Sequence, residues 1–292
     1  MTPSTLSSQK MDVHALLSWA EEKLLRARVP SPRTDAEWMM TYILHCGRSD
    51  LAVHPPILPR QVKMYRSLVF ERAKRVPLQH VLGETEFYGL PFESGPAALI
   101  PRPDTETLVE SVIHRLAHHR APQVLDLGTG SGIIAIAIAH ALKTSRVLAT
   151  DLSRPALQLA RRNAHLNKVG ERTHFIQCHM LSGLSESHSF DAIVSNPPYI
   201  PSAEIAGLQP EVRDHDPHTA LDGGASGLDY YLEIIPESLQ LLKQNGILAL
   251  EVGDTQSESV LAILAQFAAF ESATTHLDLS GRTRFIIAKK QS

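Results

Sequence analysis

Apolar positions in the first eighty residues recur at helical spacing. Leu16, Leu17, Ala20, Leu24 and Leu25 fall on i, i+4 and i+8 positions, the period of an amphipathic helix. Pro30-Ser31-Pro32 breaks this run, and Trp38, Met39, Tyr42 and Ile43 resume it. A third helix is predicted from Pro59 toward Val76, carrying Arg60, Lys63, Arg66, Arg72, Lys74 and Arg75 as a locally basic, solvated face. Glu86-Phe87-Tyr88 and Pro91-Phe92-Glu93 then flank Gly89-Leu90, a spacing that predicts a hairpin between residues 81 and 100. From residue 121 short apolar runs alternate with helical segments, which predicts an α/β domain with a mostly parallel sheet. Strands are expected near 124–127, 147–151, 173–177, 190–195, 246–252, 271–277 and 284–289. The stretch 200–227, with Pro201, Pro210, Pro217, Gly223, Gly224 and Gly227, reads as a long insertion; such loops are usually functional or disordered.

Composition narrows the class. A chain of 292 residues favours two domains. A net charge of −3 argues against broad phosphate binding, so no direct nucleic-acid substrate is expected. Two cysteines, Cys46 and Cys178, give no disulfide framework and fit a reducing compartment. Residues 1–10 lack an apolar targeting core, and the run around Ile133–Leu142 is too short to span a bilayer. The expectation is a cytoplasmic protein without a membrane partner. His114 and His118 stand at i and i+4 with no third ligand signposted, so no metal is expected.

Chemistry concentrates at two motifs. Val124-Leu125-Asp126-Leu127 runs into Gly128-Thr129-Gly130-Ser131-Gly132, and an apolar helix follows. Glycine lets backbone approach a ligand closely. The third glycine falls one residue short of the dinucleotide fingerprint. G-x-G-x-G instead resembles the first motif of Rossmann-like, S-adenosylmethionine-dependent methyltransferases. A second strand closes on Asp151 about 20 residues later, where such folds bind a ribose diol. Asp151 could equally cap the next helix, with Pro155 in its first turn. Asp126 is expected to fix the glycine loop through hydrogen bonds.

The second motif is Asn196-Pro197-Pro198-Tyr199, directly after the strand Phe190–Val194. Two prolines fix φ and remove two N–H donors, so the carbonyls of Asn196 and Pro197 are held rigidly. The Asn196 amide offers an acceptor and donors, and Tyr199 offers a flat ring. Together these suit a planar amino group, with two acceptors for its hydrogens and a ring against its face.

Across nearly the whole chain these blocks resemble the bacterial peptide chain release factor N5-glutamine methyltransferases, the PrmC/HemK family. Gln79-His80-Val81-Leu82-Gly83, Glu86-Phe87-Tyr88-Gly89-Leu90 and Leu99-Ile100-Pro101-Arg102-Pro103-Asp104-Thr105-Glu106 look like its linker blocks. The glycine loop and the Asn-Pro-Pro-Tyr turn match in order. So do Glu211-Val212-Arg213, Ala220-Leu221-Asp222-Gly223-Gly224, Gly227-Leu228, Leu250-Glu251-Val252-Gly253 and Gln256.

The resemblance implies a helical substrate-docking domain over residues 1–80, a hairpin linker over 81–100 and a class I methyltransferase domain over 101–292. It implies transfer of a methyl group from S-adenosylmethionine to the glutamine side-chain nitrogen in the Gly-Gly-Gln motif of class I release factors. Asn196, Pro197 and Tyr199 are then the expected catalytic residues, and Pro198 joins them in binding substrate. Gly128, Thr129, Gly130, Ser131, Gly132, Asp151, Met180 and Asn196 are expected to bind the cofactor. One departure concerns adenine: the family usually places an acid after the third strand, and His179 stands there, followed by Met180. Asp216 stands where Glu is common. The alternatives are a ribosomal protein L3 glutamine methyltransferase, whose linker differs from the Ile100–Glu106 block, and an adenine-N6 nucleic-acid methyltransferase, which would predict a basic recognition domain. A third, a non-catalytic S-adenosylmethionine-binding scaffold, is disfavoured by the intact glycine loop, Asp151 and Asn-Pro-Pro-Tyr turn together.

Overall fold

The computed structural model describes residues 12–53, 57–185, 189–278 and 281–292. It divides into two compact units, Met1–Gly83 and Glu84–Ser292. The first is helical: α1 (Val13–Arg26), α2 (Pro32–Leu44), α3 (Pro59–Ala73) and the short α4 (Leu78–Leu82). Leu16, Leu17, Ala20 and Leu24 of α1 are buried with Met39, Met40 and Ile43 of α2 and Val62, Tyr65 and Val69 of α3. Two expected core positions lie outside it. Leu25 is 62% exposed and Trp38 is 47% exposed, while Met40, not singled out by the periodicity, is fully buried. Arg72 also departs from the solvated basic face expected of α3. Its guanidinium turns inward, Nε donating to Asp35 Oδ2 at 2.7 Å and Nη1 to the Val76 carbonyl at 3.2 Å.

The second unit opens with the hairpin β1 (Glu84–Phe87) and β2 (Leu90–Glu93), then α5 (Pro103–Leu116). β3 (Gln123–Leu127), α6 (Ile133–Ala141), β4 (Arg146–Asp151), α7 (Arg154–Leu166), β5 (Thr173–Gln177) and β6 (Phe190–Ser195) follow. After α8 (Pro210–Arg213) come α9 (Asp229–Leu241), β7 (Leu242–Glu251), α10 (Ser257–Leu264), β8 (Phe270–Leu277) and β9 (Thr283–Lys290). The strands order as β5-β4-β3-β6-β7-β9-β8. Pairing is parallel from β5 to β7, and β9 runs antiparallel to both β7 and β8.

Strand periodicity explains the three layers, since successive side chains point to opposite faces. Val124, Val147, Ala149, Ala192, Val194, Ile247 and Ala249 join α5 and α6 on one face. Leu125, Leu127, Ile193, Leu248, Leu250 and Ile286 join α9 and α10 on the other. A parallel sheet buried on both faces needs such continuous apolar runs. The hairpin, read from sequence as a linker, contributes Phe87, Leu90 and Phe92 to the first of these cores. Asn163 of α7 ties it down: Oδ1 accepts from Glu93 N at 2.7 Å, and Nδ2 donates to the Ser131 carbonyl at 2.9 Å.

The chain steps outward from β3 through β4 to β5 and then returns to β6, on the other side of β3. Such a reversal opens a crevice at the carboxyl ends of the strands. Leu127, Asp151, Gln177 and Ser195 end β3, β4, β5 and β6 at that edge.

Both tryptophans, Trp19 and Trp38, lie in the helical unit, so their fluorescence reports on it alone. Removing one partner of a buried ion pair strands the other charge. Asp35→Ala is therefore expected to lower this unit's stability by about 3–5 kcal/mol, read as an earlier urea transition in tryptophan fluorescence. The double replacement Asp35→Leu with Arg72→Met should lose much less.

Candidate active site

The glycine loop is set by the acid in front of it. Asp126 is fully buried at the end of β3, and its Oδ2 accepts from Thr129 Oγ1 at 2.6 Å and Ala135 N at 3.1 Å. Burial pushes its carboxyl up to about 7, against these two hydrogen bonds. Gly128, Gly130 and Gly132 all adopt positive φ, at 67°, 55° and 87°. They serve different ends. A Cβ on Gly132 would meet Ile136 Cδ1 at 2.8 Å and Ala160 Cβ at 3.1 Å, so this glycine lets α6 pack on α7 and stands back from the cleft. A Cβ on Gly128 or Gly130 would come no nearer to protein than 4.0 Å from Met180 Cε or 3.7 Å from Ala98 Cβ. Both glycines line the cleft.

Asp151 closes β4 beside this loop. Its Oδ2 accepts from Gly130 N at 2.8 Å and its Oδ1 from Ser153 N at 2.7 Å. The side-chain cap of α7 is Ser153, whose Oγ accepts from Ala156 N at 3.2 Å. Asp151 instead braces the glycine loop. Burial raises its carboxyl above the usual range, with the two N–H groups pulling the other way. Each oxygen retains acceptor capacity, enough for a vicinal diol.

Past β5, Thr150 Oγ1 donates to the Met180 carbonyl at 3.1 Å and holds Met180 at a positive φ of 39°. His179 and Met180 line the cleft there, with Tyr230 of α9. The cleft continues along Ile100, Pro101, Gly128, Gly130, Asp151 and Asn196.

At its other end Asn196 leaves β6. Its Nδ2 donates to Thr105 Oγ1 at 3.4 Å, and that hydroxyl donates to Glu251 Oε2 at 2.7 Å. With Nδ2 directed at α5, Oδ1 is the acceptor left for a ligand. Glu251 is almost wholly buried, which drives its carboxyl up to about 7 against the hydrogen bond from Thr105. Tyr199 is mostly buried, and burial lifts its hydroxyl to about 12. Its ring packs on the core beneath α9 and α10. Pro198 lines the cleft, whereas Pro197 and Tyr199 do not.

The insertion after the turn is ordered and clamps it. Ile200 N donates to the Leu221 carbonyl at 3.0 Å, and Gly223 N to the Ile200 carbonyl at 2.9 Å. Gln256 Nε2 donates to the carbonyls of Tyr199 at 2.8 Å and Gly227 at 3.1 Å. A Cβ on Gly223 would sit 2.8 Å from the Pro198 oxygen, and one on Gly227 would sit 2.4 Å from the Tyr199 oxygen. Only glycine permits that approach. Arg102, on the cleft wall, lies 3.8 Å from the buried Asp216, whose carboxyl burial pushes up to about 6.

Thr105, Glu251, Gln256 and Gly227 were visible in sequence only as parts of matching blocks, with no chemistry attached to them. Glu233, which accepts from His179 Nδ1 at 2.9 Å, had no sequence signal at all. Among the described residues no cluster of His, Cys, Asp and Glu could hold a metal, and no helix is long and apolar enough to cross a membrane.

Residues 15–83 match the PrmC N-terminal domain, and residues 104–207 match the methyltransferase small domain. The release factor glutamine methyltransferase of Geobacter sulfurreducens is 41% identical over 87% of this chain and 88% of its own length. That of Deinococcus radiodurans is 39% identical over 96% and 99%, and that of Nitratidesulfovibrio vulgaris 36% identical over 99% and 98%. Among solved structures, a methyltransferase from Pyrococcus furiosus aligns with a TM-score of 0.52 at 19% identity, covering 70% of this chain and 91% of that one. A T. Thermophilus 16S rRNA methyltransferase in complex with AdoMet and guanosine gives 0.52 at 17%, covering 71% and 50%. These two likenesses speak for the fold alone. Sequence identity of this extent over almost the full chain, with both domains matched in order, makes this chain a member of the release factor glutamine methyltransferase family.

Proposed function

We propose that this enzyme methylates the side-chain amide nitrogen of the glutamine in the Gly-Gly-Gln motif of class I release factors, and that the helical unit docks the factor. The observation that carries the reading is Asn196, with Nδ2 tied to Thr105 and Oδ1 free to accept, on a turn fixed from three sides. S-adenosylmethionine supplies an electrophilic sulfonium methyl group. The cleft fits it: Gly128 and Gly130 line it, and Asp151 has acceptors to spare for its ribose.

A carboxamide nitrogen is a poor nucleophile because its lone pair is delocalised into the carbonyl. Asn196 Oδ1 and the Pro197 carbonyl accept its two hydrogens, which orients the nitrogen and favours positive charge as it develops. The Tyr199 ring, seated on the core beneath α9 and α10, backs the turn that presents these acceptors. No general base is required before transfer, because the proton becomes acidic only afterwards and leaves to water. Positioning supplies most of the effect, up to ~7–11 kcal/mol in ideal cases. Among the alternatives, the names of the relatives favour the release factor substrate over an adenine or a ribosomal protein.

Two outcomes test this. Asn196→Ala should keep the fold and most substrate binding but slow methylation of purified release factor, at saturating cofactor, roughly a hundredfold, about 3 kcal/mol, with mass spectrometry locating the wild-type mark on the Gly-Gly-Gln glutamine. Asn196→Asp, which keeps an acceptor, should retain more activity than the alanine variant unless the bond to Thr105 is what matters. Wild-type turnover in Asn196→Ala, or a mark elsewhere, would remove the turn from the mechanism.

The second outcome concerns pH. Ionised Glu251 can only accept, which fixes the Thr105 hydroxyl as donor to it and as acceptor from Asn196. Because burial lifts Glu251 to about 7, its ionised fraction grows through neutrality. The wild-type kcat should therefore rise between about pH 6 and about pH 8, and Glu251→Gln should flatten that limb. An unchanged profile would show that the Glu251 charge plays no part.

A further inference from the structure

His179 and Glu233 form a pair that the transfer step leaves unused. His179 follows β5 and lines the cleft, and its Nδ1 lies 2.9 Å from Glu233 Oε1 on α9. The pair is only partly buried, with side-chain exposures of 44% and 29%. The imidazole and the Tyr230 ring stand 5.9 Å apart and 30° from parallel, forming one wall of the cleft.

The order of strand ends along the sheet assigns this wall a ligand. Asn196 follows β6, the glycine loop follows β3, Asp151 ends β4 and His179 follows β5, and these strands are consecutive neighbours. A cofactor with its sulfonium at Asn196 and its ribose at Asp151 has one direction left for its base, toward His179 and Met180. The exocyclic amino group of adenine is a donor and needs an acceptor. An ionised carboxylate can only accept a hydrogen bond, so the nitrogen facing Glu233 carries the proton. In a neutral ring the other nitrogen then bears the lone pair, because the bond made by one ring nitrogen sets the state of its partner.

We propose that Glu233 is a positioning residue that holds His179 as the Nδ1-protonated tautomer, leaving Nε2 to accept from the adenine 6-amino group. A histidine with a fixed tautomer thereby does the work of a carboxylate at the base end of the cleft. Glu233 itself touches no ligand. The proposal rests on the reading of this cleft as the cofactor site.

The test uses the full chain, calorimetry and nitrogen-15 spectra of labelled histidine. The probes are S-adenosylhomocysteine and its analogue with hydrogen in place of the 6-amino group. Wild type should prefer the amino ligand roughly tenfold, the scale of one buried hydrogen bond. Its His179 should be protonated on Nδ1. Glu233→Ala should release the tautomer and erase most of the preference, while Glu233→Gln, whose amide oxygen still accepts from Nδ1–H, should restore it. A general packing role would weaken both ligands alike and leave their ratio fixed. An unchanged ratio in Glu233→Ala, no rescue by glutamine, or a wild-type ring protonated on Nε2 would overturn the assignment. Failure of wild type to bind either probe would overturn the cofactor reading and this proposal with it.

Discussion

Everything at the reacting end depends on how closely the insertion backbone packs against the Asn-Pro-Pro-Tyr turn. Gly223 and Gly227 leave no space for a side chain between themselves and the carbonyls of Pro198 and Tyr199. Gln256 then bonds Tyr199 and Gly227 at once, with its own Oε1 accepting from Gly253 N at 3.1 Å. Two prolines already remove backbone freedom from the turn. The clamp removes the freedom that remains, so Asn196 can act as a fixed acceptor without reorganising as charge develops.

That rigidity continues inward as a line of polar groups, Asn196 to Thr105 to Glu251. Burying a carboxylate is costly unless it is hydrogen-bonded, and burial raises Glu251 to about 7 despite the bond from Thr105. Asp126 shows the same trade at the glycine loop, where two hydrogen bonds only partly offset complete burial. Both acids support neighbours that face the cleft: Glu251 orients the amide through Thr105, and Asp126 sets the loop through Thr129. The acids are shielded, and the groups they steer, Asn196 and Thr129, line the cleft.

Much of this was legible in the sequence. Short continuous apolar runs made the strands of the sheet readable to within a few residues, and the glycine loop and the turn stood out because glycine and proline act locally. What escaped depends on tertiary contact. Strand β7 begins at Leu242, four residues before the apolar run suggested, because Leu242 pairs with Phe190 ahead of a register shift. Arg72 looked like one more solvated cation until the fold brought Asp35 against it. Gly132 looked like a ligand glycine, and its reason is helix packing. Asp151 leaves the side-chain cap of α7 to Ser153, two residues on. Glu233 lies in an ordinary helical stretch, and only the meeting of α9 with the end of β5 gives it a partner.

The central claim is geometric: a preformed turn receives the acceptor amide without moving. The most direct measurement is a crystal structure with S-adenosylhomocysteine and a peptide bearing the Gly-Gly-Gln motif. The account predicts the glutamine amide nitrogen within hydrogen-bond reach of Asn196 Oδ1 and the Pro197 carbonyl, with residues 196–199 and 223–227 superimposing on their positions here. A rebuilt turn, or an amide seated away from Asn196, would contradict it.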